Sequence, residues 1–571
     1  MERRPIAREA KFDRPLHPLL QRVYAARGLH SDGDLDQSLS SLHDFQGFGG
    51  MRAAVELLAD CLKHARRILV VGDFDCDGAT SSALAVRALR RLGAKDVDYL
   101  VPNRFEYGYG LTPEIVALAA RREPALIVTV DNGISSIAGV AAARAAGIRV
   151  LVTDHHLPGT GLPAADAIVN PNLPGDGFPS KSLAGVGVVF YLLLALRARL
   201  REQDWFASRN IPEPNLADFL DIVALGTVAD LVPLDRNNRV LVAQGLARMR
   251  AGRGIPGIRA LLEAGKRDAS RITATDLAFT VGPRLNAAGR LTDMSLGIEC
   301  LLTDDLSRAR DLAARLDELN QERRGIEVQM ESEAMQILAG MGLHDDDPDL
   351  PFGLCLFDEA WHQGVVGLVA SRIKDRVHRP VIAFARADDG TLKGSARSVR
   401  GLHIRDALEA VSTRHPGLVE KFGGHAMAAG LTLGADRFQP FAEAFDAEVR
   451  LRLAADDLTG VIHTDGELAP DWLTLECALM LRDAGPWGQG FPEPSFDGEF
   501  RVLERRIVGG AHLKLALMSP GNRRLEAIAF RQTGDHLPVD CERVRIVYRP
   551  DVNEFRGEQR LQLLVDYIEP A

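Results

Sequence analysis

Three short runs of aliphatic and β-branched residues constrain this chain more than any other feature: Arg67-Ile-Leu-Val-Val-Gly72, Ala125-Leu-Ile-Val-Thr-Val130 and Ile148-Arg-Val-Leu-Val-Thr153. Runs that are apolar at nearly every position, rather than at every second one, belong to strands covered on both faces, as in parallel sheets. Helical patterns separate them, over Thr80–Leu92 and Pro113–Arg122, and a weaker run, Val97-Asp-Tyr-Leu-Val101, adds a fourth strand. Strands alternating with helices at this spacing predict an α/β domain with a parallel sheet.

Each strong run ends in chemically unusual residues. The first leads into Gly72-Asp73-Phe74-Asp75-Cys76-Asp77-Gly78, the second into Asp131-Asn132-Gly133, the third into Asp154-His155-His156. Ligands of open parallel sheets bind beyond the carboxyl ends of the strands, so these groups are expected to share one cleft. Clustered carboxylates repel unless cations neutralise them. Carboxylate and imidazole donors without a thiolate pair suit Mn²⁺ or Mg²⁺, and two such ions about 3.5–4 Å apart are the expected arrangement. The Asp-x-Asp-x-Asp-Gly string also opens calcium-binding EF-hand loops, but its twelfth position is Leu84 where a bidentate Glu is needed, and a strand precedes it. A single Asp at a strand end is as often a helix cap or turn former. Three strand ends together are harder to explain that way.

A length of 571 residues exceeds one core, and at ~150 residues per domain suggests three or four. Residues 1–50 read as an irregular, partly helical extension, and 51–300 as the first α/β domain. The helix-forming stretch from Leu306 to about Leu338, broken once by Gly325, reads as a connecting helix within 301–345. Asp345-Asp-Asp-Pro-Asp-Leu-Pro351 marks a boundary before a second α/β domain at 346–455, and Ala454–Gly460 reads as a linker. Alternating segments at Phe496–Ile507, Leu513–Met518, Leu525–Phe530, Val544–Tyr548 and Gln559–Ile568 give 456–571 the pattern of a small OB-like β-barrel.

The six cysteines are scattered without Cys-x-x-Cys spacing, which argues against a zinc knuckle or a disulfide framework. The charged start lacks a signal peptide's apolar core, and the longest apolar run, Gly185 to Leu196, is shorter than the ~20 residues that span a bilayer. A cytoplasmic protein with no membrane segment is expected. A net charge of −10 argues against nucleic-acid binding only globally, because cations bound at the acidic clusters reverse the local sign and basic residues gather at Arg372–Arg376 and Lys393–Arg405.

The motifs carry a specific resemblance. Asp154-His155-His156 is the signature of the DHH phosphoesterase superfamily. It stands in order with Ala224-Leu-Gly-Thr-Val-Ala-Asp230, Gly282-Pro-Arg-Leu-Asn-Ala-Ala-Gly-Arg290, Trp361-His-Gln-Gly-Val-Val-Gly367, Lys393-Gly-Ser-Ala-Arg397 and Gly423-Gly-His-Ala-Met-Ala-Ala-Gly430. From about Phe45 to the C-terminus the chain resembles the RecJ-type nucleases of that superfamily. The resemblance implies a DHH domain joined by a long helix to a DHHA1 domain, then an OB-like barrel. It also implies 5′→3′ exonuclease activity on single-stranded DNA in recombination and repair.

By the same resemblance, Asp75 and Asp131 are ligands of one metal and Asp77, Asp131, His155 and Asp230 of the other. Asp73 is a ligand or a carboxylate behind the ligands, His156 contacts the scissile phosphate or orients a ligand, and Asp154 is expected to hold His155 by a hydrogen bond. Arg104, Ser395 and Arg397 would receive a 5′-phosphate. From the residues themselves, Gly423 and Gly424 let a phosphate approach the backbone, with donors from His425, Arg397 and Lys393; Tyr109 either stacks a base or packs the turn Tyr107-Gly-Tyr-Gly110, and Arg284 and Arg290 are expected to line the same cleft. Implied partners are single-stranded DNA, a single-stranded-DNA-binding protein and a helicase, with the enzyme itself a monomer. A short-oligonucleotide phosphodiesterase of the superfamily and a non-catalytic single-strand-binding scaffold are the alternatives.

Overall fold

The computed structural model describes the chain except residues 7–9, 103–109, 160, 341–349, 535–536, 539–540 and 556, and the side chains of 340, 455, 456 and 555. Two compact units emerge. One comprises Met1–Gly289, Asp293–Asp317 and Ile462–Ala571, the other Arg290–Thr292 and Glu318–Val461.

In the first unit, strands β1 (Ile68–Val71), β2 (Val97–Leu100), β3 (Leu126–Val130), β4 (Arg149–Thr153) and β5 (Ala167–Val169) form, among the described residues, a five-stranded sheet in the order β2-β1-β3-β4-β5. Every pairing is parallel. Ile68 to Val71 are fully buried, as continuous apolar runs require. Helices Pro113–Ala120 and Ile137–Ala145 cover the face that presents Leu69, Val71, Ile127, Val150 and Val152. Helix Cys76–Arg91 packs against helices Gly185–Glu202 and Leu220–Ala229. The apolar run at Gly185 is thus a buried helix, and no helix among the described residues is long and apolar enough to cross a membrane. Strand β5 has no counterpart in the sequence pattern, because three residues are too few for a recognisable run. It adds to the edge of β4 through Thr153↔Val169.

The N-terminal extension is tied into this unit. Glu2–Arg3 pairs in parallel with His463–Thr464, and Arg27 donates from both terminal nitrogens to Asp465 at 2.8 and 3.0 Å. Both side chains of that pair are almost wholly buried.

The second unit is built on β6 (Leu354–Phe357), β7 (Val381–Arg386), β8 (Thr391–Arg397), β9 (Lys421–Gly424) and β10 (Ala428–Gly434), ordered β9-β10-β8-β7-β6. Val381, Ala383 and Ala385 pack on helix Val366–Val377, while Ile382 and Phe384 face helices Ile404–Arg414 and Phe438–Arg452. The long helix runs unbroken from Leu306 to Gly340, so the interruption expected at Gly325 does not occur. Close to that glycine, Arg323 donates to Glu327 at 2.6 Å and to Asn320 at 3.0 Å, and Arg372 donates to the same Glu327 at 2.9 Å. Packing of this kind outweighs the ~1 kcal/mol that a mid-helix glycine costs.

At the C-terminal end of the chain, β11 (Phe496–Val508), β12 (His512–Met518), β13 (Arg524–Ala529), β14 (Arg543–Phe555) and β15 (Glu558–Pro570) close a barrel in the order β11-β12-β13-β15-β14. Its β13–β15 pairing is parallel and the others are antiparallel.

Candidate active site

Beyond β1 the chain turns at once into helix Cys76–Arg91, for which Asp75 is the N-cap, its Oδ1 accepting the Gly78 amide at 3.0 Å. The turn is so tight that a Cβ at Gly78 would lie 2.6 Å from the Asp73 carbonyl oxygen. Asp77, in the first turn of that helix, accepts the amides of Gly185 at 2.6 Å and Val186 at 3.0 Å. Those amides open helix Gly185–Glu202, where backbone donors without helical partners favour a carboxylate. After β3, Asp131 has φ +60°, and the buried Asn132 steadies this bend by donating to the carbonyls of Val71 and Val130 at 3.1 and 2.9 Å.

After β4, the buried Asp154 accepts the Ile134 amide at 2.9 Å, the amides of His155 and His156 at 2.7 and 3.0 Å, and the ring Nδ1 of His156 at 2.7 Å. The ring it holds is therefore that of His156, not His155 as expected. From the loop after β5, Asn170 and Asn172 donate to the carbonyls of His156 and His155 at 2.9 and 2.6 Å.

These elements bring the side chains together in three overlapping groups whose ligand atoms lie within 4.8 Å of one another: Asp73, Asp75 and Asp131; Asp77, His155 and Asp230; Asp131, His155 and His156. The Nε2 of His155 stands 3.1 Å from Asp131 Oδ1 and 3.5 Å from Asp230 Oδ2. Burial, and then the charge of neighbouring Asp75, push the Asp77 carboxyl up to about 7. Asp131 and Asp230 are raised well above the carboxylate range by burial and by the charges of Asp77 and the other acids around them. Burial alone would raise Asp154, but the His156 hydrogen bond and charge outweigh it and hold that carboxyl low. Burial would lower His156, yet the hydrogen bond and charge of Asp154 with the charge of Asp73 bring it up to about 9.

A site that raises its own carboxylates is built for cations. The Oδ2 of Asp230 is buried and accepts no hydrogen bond among the described residues. Oxygen and imidazole donors without a thiolate fit Mn²⁺ or Mg²⁺.

Several residues that shape the site lie inside the quoted motifs, yet their roles there cannot be read from the sequence. Asn286 accepts the Cys76 amide at 2.7 Å, and a Cβ at Gly289 would fall 1.8 Å from the Phe74 carbonyl oxygen. The Gly282–Arg290 motif thus works in part by docking a helix onto the first acidic turn. A Cβ at Gly226 would meet Asp77 Oδ1 at 2.9 Å. Asn and Gly give no hint of such roles until their neighbours are known.

In the second unit, Ser395 lies opposite Ala383 and Arg397 opposite Val381, so both project onto the face covered by helix Val366–Val377. A Cβ at Gly367, in the first turn of that helix, would lie 2.8 Å from Arg397 Nη2 and 2.9 Å from Ser395 Oγ. A hydroxyl, a guanidinium and a helix start therefore meet at one point. Burial lowers the Arg397 pKa, and among the described residues no carboxylate offsets it. Gly424 has φ +145°, and a Cβ there would lie 2.4 Å from Ala429 Cα, whereas Gly423 faces open space. His425 follows at the exposed end of β9, and Lys393 donates to Thr432 at 3.2 Å. Arg290 donates to the Gly364 carbonyl at 3.3 Å. In the first unit, Arg284 is buried and taken up by Asp317 at 2.8 Å and the Thr280 carbonyl at 2.6 Å, which makes it a packing residue rather than an open lining residue. Arg104 and Tyr109 lie outside the described residues.

Comparison with known proteins agrees with this architecture. Residues 67–227 match the DHH family, N-terminal domain, residues 351–451 the DHHA1 domain, and residues 464–567 the RecJ OB domain. The single-stranded-DNA-specific exonuclease RecJ of Dickeya dadantii is 57% identical over 100% of this chain and 99% of its own length. The protein of the same name from Escherichia coli is 55% identical over the same shares. The crystal structure of RecJ from Thermus thermophilus in complex with Mn²⁺ superposes with a TM-score of 0.79 at 31% identity, covering 97% of this chain and 76% of that one. A structure of the same protein with Mg²⁺ gives a TM-score of 0.73 at 30% identity, over 97% and 74%. With its domains in that order and full-length relatives above half identity, this chain belongs to the RecJ family of DHH-domain exonucleases.

Proposed function

We propose that the protein is a metal-dependent exonuclease that shortens single-stranded DNA from its 5′ end and releases 5′-mononucleotides. The observation that carries this is the cluster of Asp73, Asp75, Asp77, Asp131, His155 and Asp230 at the carboxyl ends of β1, β3 and β4 and after helix Leu220–Ala229. Asp75, Asp77, Asp131, His155 and Asp230 would hold two Mn²⁺ or Mg²⁺ ions, with Asp131 shared between them. Such ions acidify water and neutralise charge that builds on the phosphodiester during in-line attack. Asp77 fixes helix Gly185–Glu202 against the acidic turn, and the hydrogen bond and charge of Asp154 would hold the His156 ring protonated for contact with a phosphate. A water oxygen joins phosphorus as the bond to the 3′-oxygen breaks. That oxygen leaves with a proton, and the shortened strand again begins with a 5′-phosphate.

Ser395 and Arg397, with Arg104, would recognise that terminal phosphate through charge-assisted hydrogen bonds, and Tyr109, Arg290, Gly423, Gly424 and His425 would contact the strand. Arg397→Ala is then expected to slow release of the first nucleotide about tenfold or more from 5′-phosphorylated strands and less from 5′-hydroxyl strands, since charged contacts are the stronger kind. First-turnover rates on paired oligonucleotides measure this, and equal losses would make Arg397 a general backbone contact.

The defining experiment is digestion of long and short single strands labelled at either end, with Mn²⁺, Mg²⁺ or EDTA. Metal-dependent loss of the 5′ label as mononucleotide from long strands is expected. Cleavage confined to short strands would favour an oligonucleotide phosphodiesterase, and binding without cleavage a scaffold. Cytoplasmic location, a monomeric state and cooperation with a single-stranded-DNA-binding protein and a helicase are part of the same proposal.

A further inference from the structure

A cavity of about 470 Å³ opens where helix Arg236–Arg250 ends and helix Pro256–Ala264 and the segment after it fold back, and its lining includes Arg250, Arg259, Arg267, Glu263 and Asp268. None of the metal-cluster residues lines it. Gly252, at φ +71°, ends the first helix, its amide bonding to the Met249 carbonyl at 2.9 Å and that of Arg253 to the Arg248 carbonyl at 2.9 Å. This turn sets Arg250 at the cavity wall, with its Nε donating to the Ile272 carbonyl at 2.8 Å.

The charges here are unevenly satisfied. Glu263 is paired with Arg310 at 2.8 Å, Asp268 with Arg271 at 3.4 Å, and Arg267 with Asp276 at 3.2 Å. Arg250 and Arg259 have no carboxylate within 4.0 Å among the described residues, although Arg250 lies in the fields of Asp483 and Asp276 and Arg259 in that of Glu263. Arg250 is also half-buried, so its charge is only partly hydrated. Two guanidiniums without a direct ion pair facing one cavity, with the nearby acids already engaged by other arginines, form a site for an anion whose oxygens accept paired donors. No aromatic side chain is in the lining, so a base would find nothing to stack on.

We infer that this cavity is an accessory phosphate site that holds the sugar-phosphate backbone of the single strand without reading its sequence. The inference rests on the proposed strand-degrading function for its ligand. The same phosphate chemistry is offered by a free nucleotide, such as the product of hydrolysis, and the test separates the two.

Two variants of the full chain serve: Arg259→Glu, at an exposed position, and Arg250→Gln, which keeps a donor for Ile272. Binding to fluorescent oligothymidylates of increasing length is measured across a salt series in EDTA, with thermal melting to confirm folding. The slope of log affinity against log salt is expected to fall by roughly 1 for each variant on long strands, with a several-fold loss of affinity that grows with strand length. Titration with dTMP forms the second arm and should give equally weak binding in wild type and variants. Unchanged slopes and affinities at every length overturn the inference. So does a loss confined to dTMP, which would make the cavity a nucleotide pocket. Digestion by the wild type is scored separately: failure there with altered slopes in the variants counts against the exonuclease reading and leaves the phosphate site standing.

Discussion

Replacing Asp131 is expected to reduce hydrolysis by about three orders of magnitude or more, equivalent to ~4 kcal/mol of lost transition-state stabilisation. No other residue belongs to both the Asp73–Asp75 group and the His155–His156 group, so its loss removes a donor from each. Asparagine is a better replacement than alanine, because Asp131 occupies the left-handed region at φ +60°, which Asn tolerates and Ala does not. Two further readouts separate metal loss from general damage. The metal-free variant should melt higher than wild type, because burial and like charge hold the Asp131 carboxyl above its ordinary range and neutralising it relieves that repulsion. The rise in melting temperature on adding Mn²⁺ should shrink sharply, because that rise reports binding to the folded state. Strand affinity in EDTA should stay within about threefold of wild type, since phosphate contacts supply most of it. Hydrolysis within tenfold of wild type at saturating Mn²⁺ would refute the shared role.

Gly185→Ala is expected to be strongly damaging as well, although position 185 has no side chain to offer a metal. Its added Cβ would sit 2.7 Å from Asp131 Cβ and 2.8 Å from Asp131 Oδ1. The near neighbour is the stiff base of a side chain on a strained turn, so rotation cannot relieve the clash. The Gly185 amide also donates to Asp77 at 2.6 Å, and shifting this helix start therefore disturbs a second carboxylate. Overpacking of this sort costs ~1–3 kcal/mol of stability. Misplacing Asp77 and Asp131, both in the proposed metal set, should reduce activity on the order of a hundredfold, the loss typical of about 1 Å of displacement in a catalytic array. Denaturant melts and Mn²⁺ titrations of activity check both. A fully active variant with the wild-type metal requirement would show that the helix start gives way and that the close approach has no role in placing Asp131.

The grouping of acidic and histidine residues was largely legible in the chain because they follow strands that the sequence marks strongly. A run such as Ile68–Val71 must be covered on both faces, and the parallel order then carries the ends of β1, β3 and β4 to the same side. On that ground Asp73, Asp75, Asp77, Asp131, Asp154, His155 and His156 were expected in one cleft, while the choice of metal ligands among them, and Asp230, came only from the resemblance; Asp230 lies beside His155. The barrel was legible for a similar reason, alternation being a local property of each strand.

What the sequence could not supply is pairing over distance. The helix start that receives Asp77 lies 108 residues further on, and the Asn286 that receives the Cys76 amide lies 210 residues further on. Asp154 could have served either neighbouring histidine, and only the folded backbone turns the His156 ring toward it. Arg284 read as an open cation until Asp317 took it up, and Gly325 read as a break until the helix around it was packed. Residue type and local periodicity determined the strands and the chemistry of their ends. The partners of each polar group were decided by the tertiary structure, because hydrogen bonds and steric contacts depend on separations in space that a linear pattern does not encode.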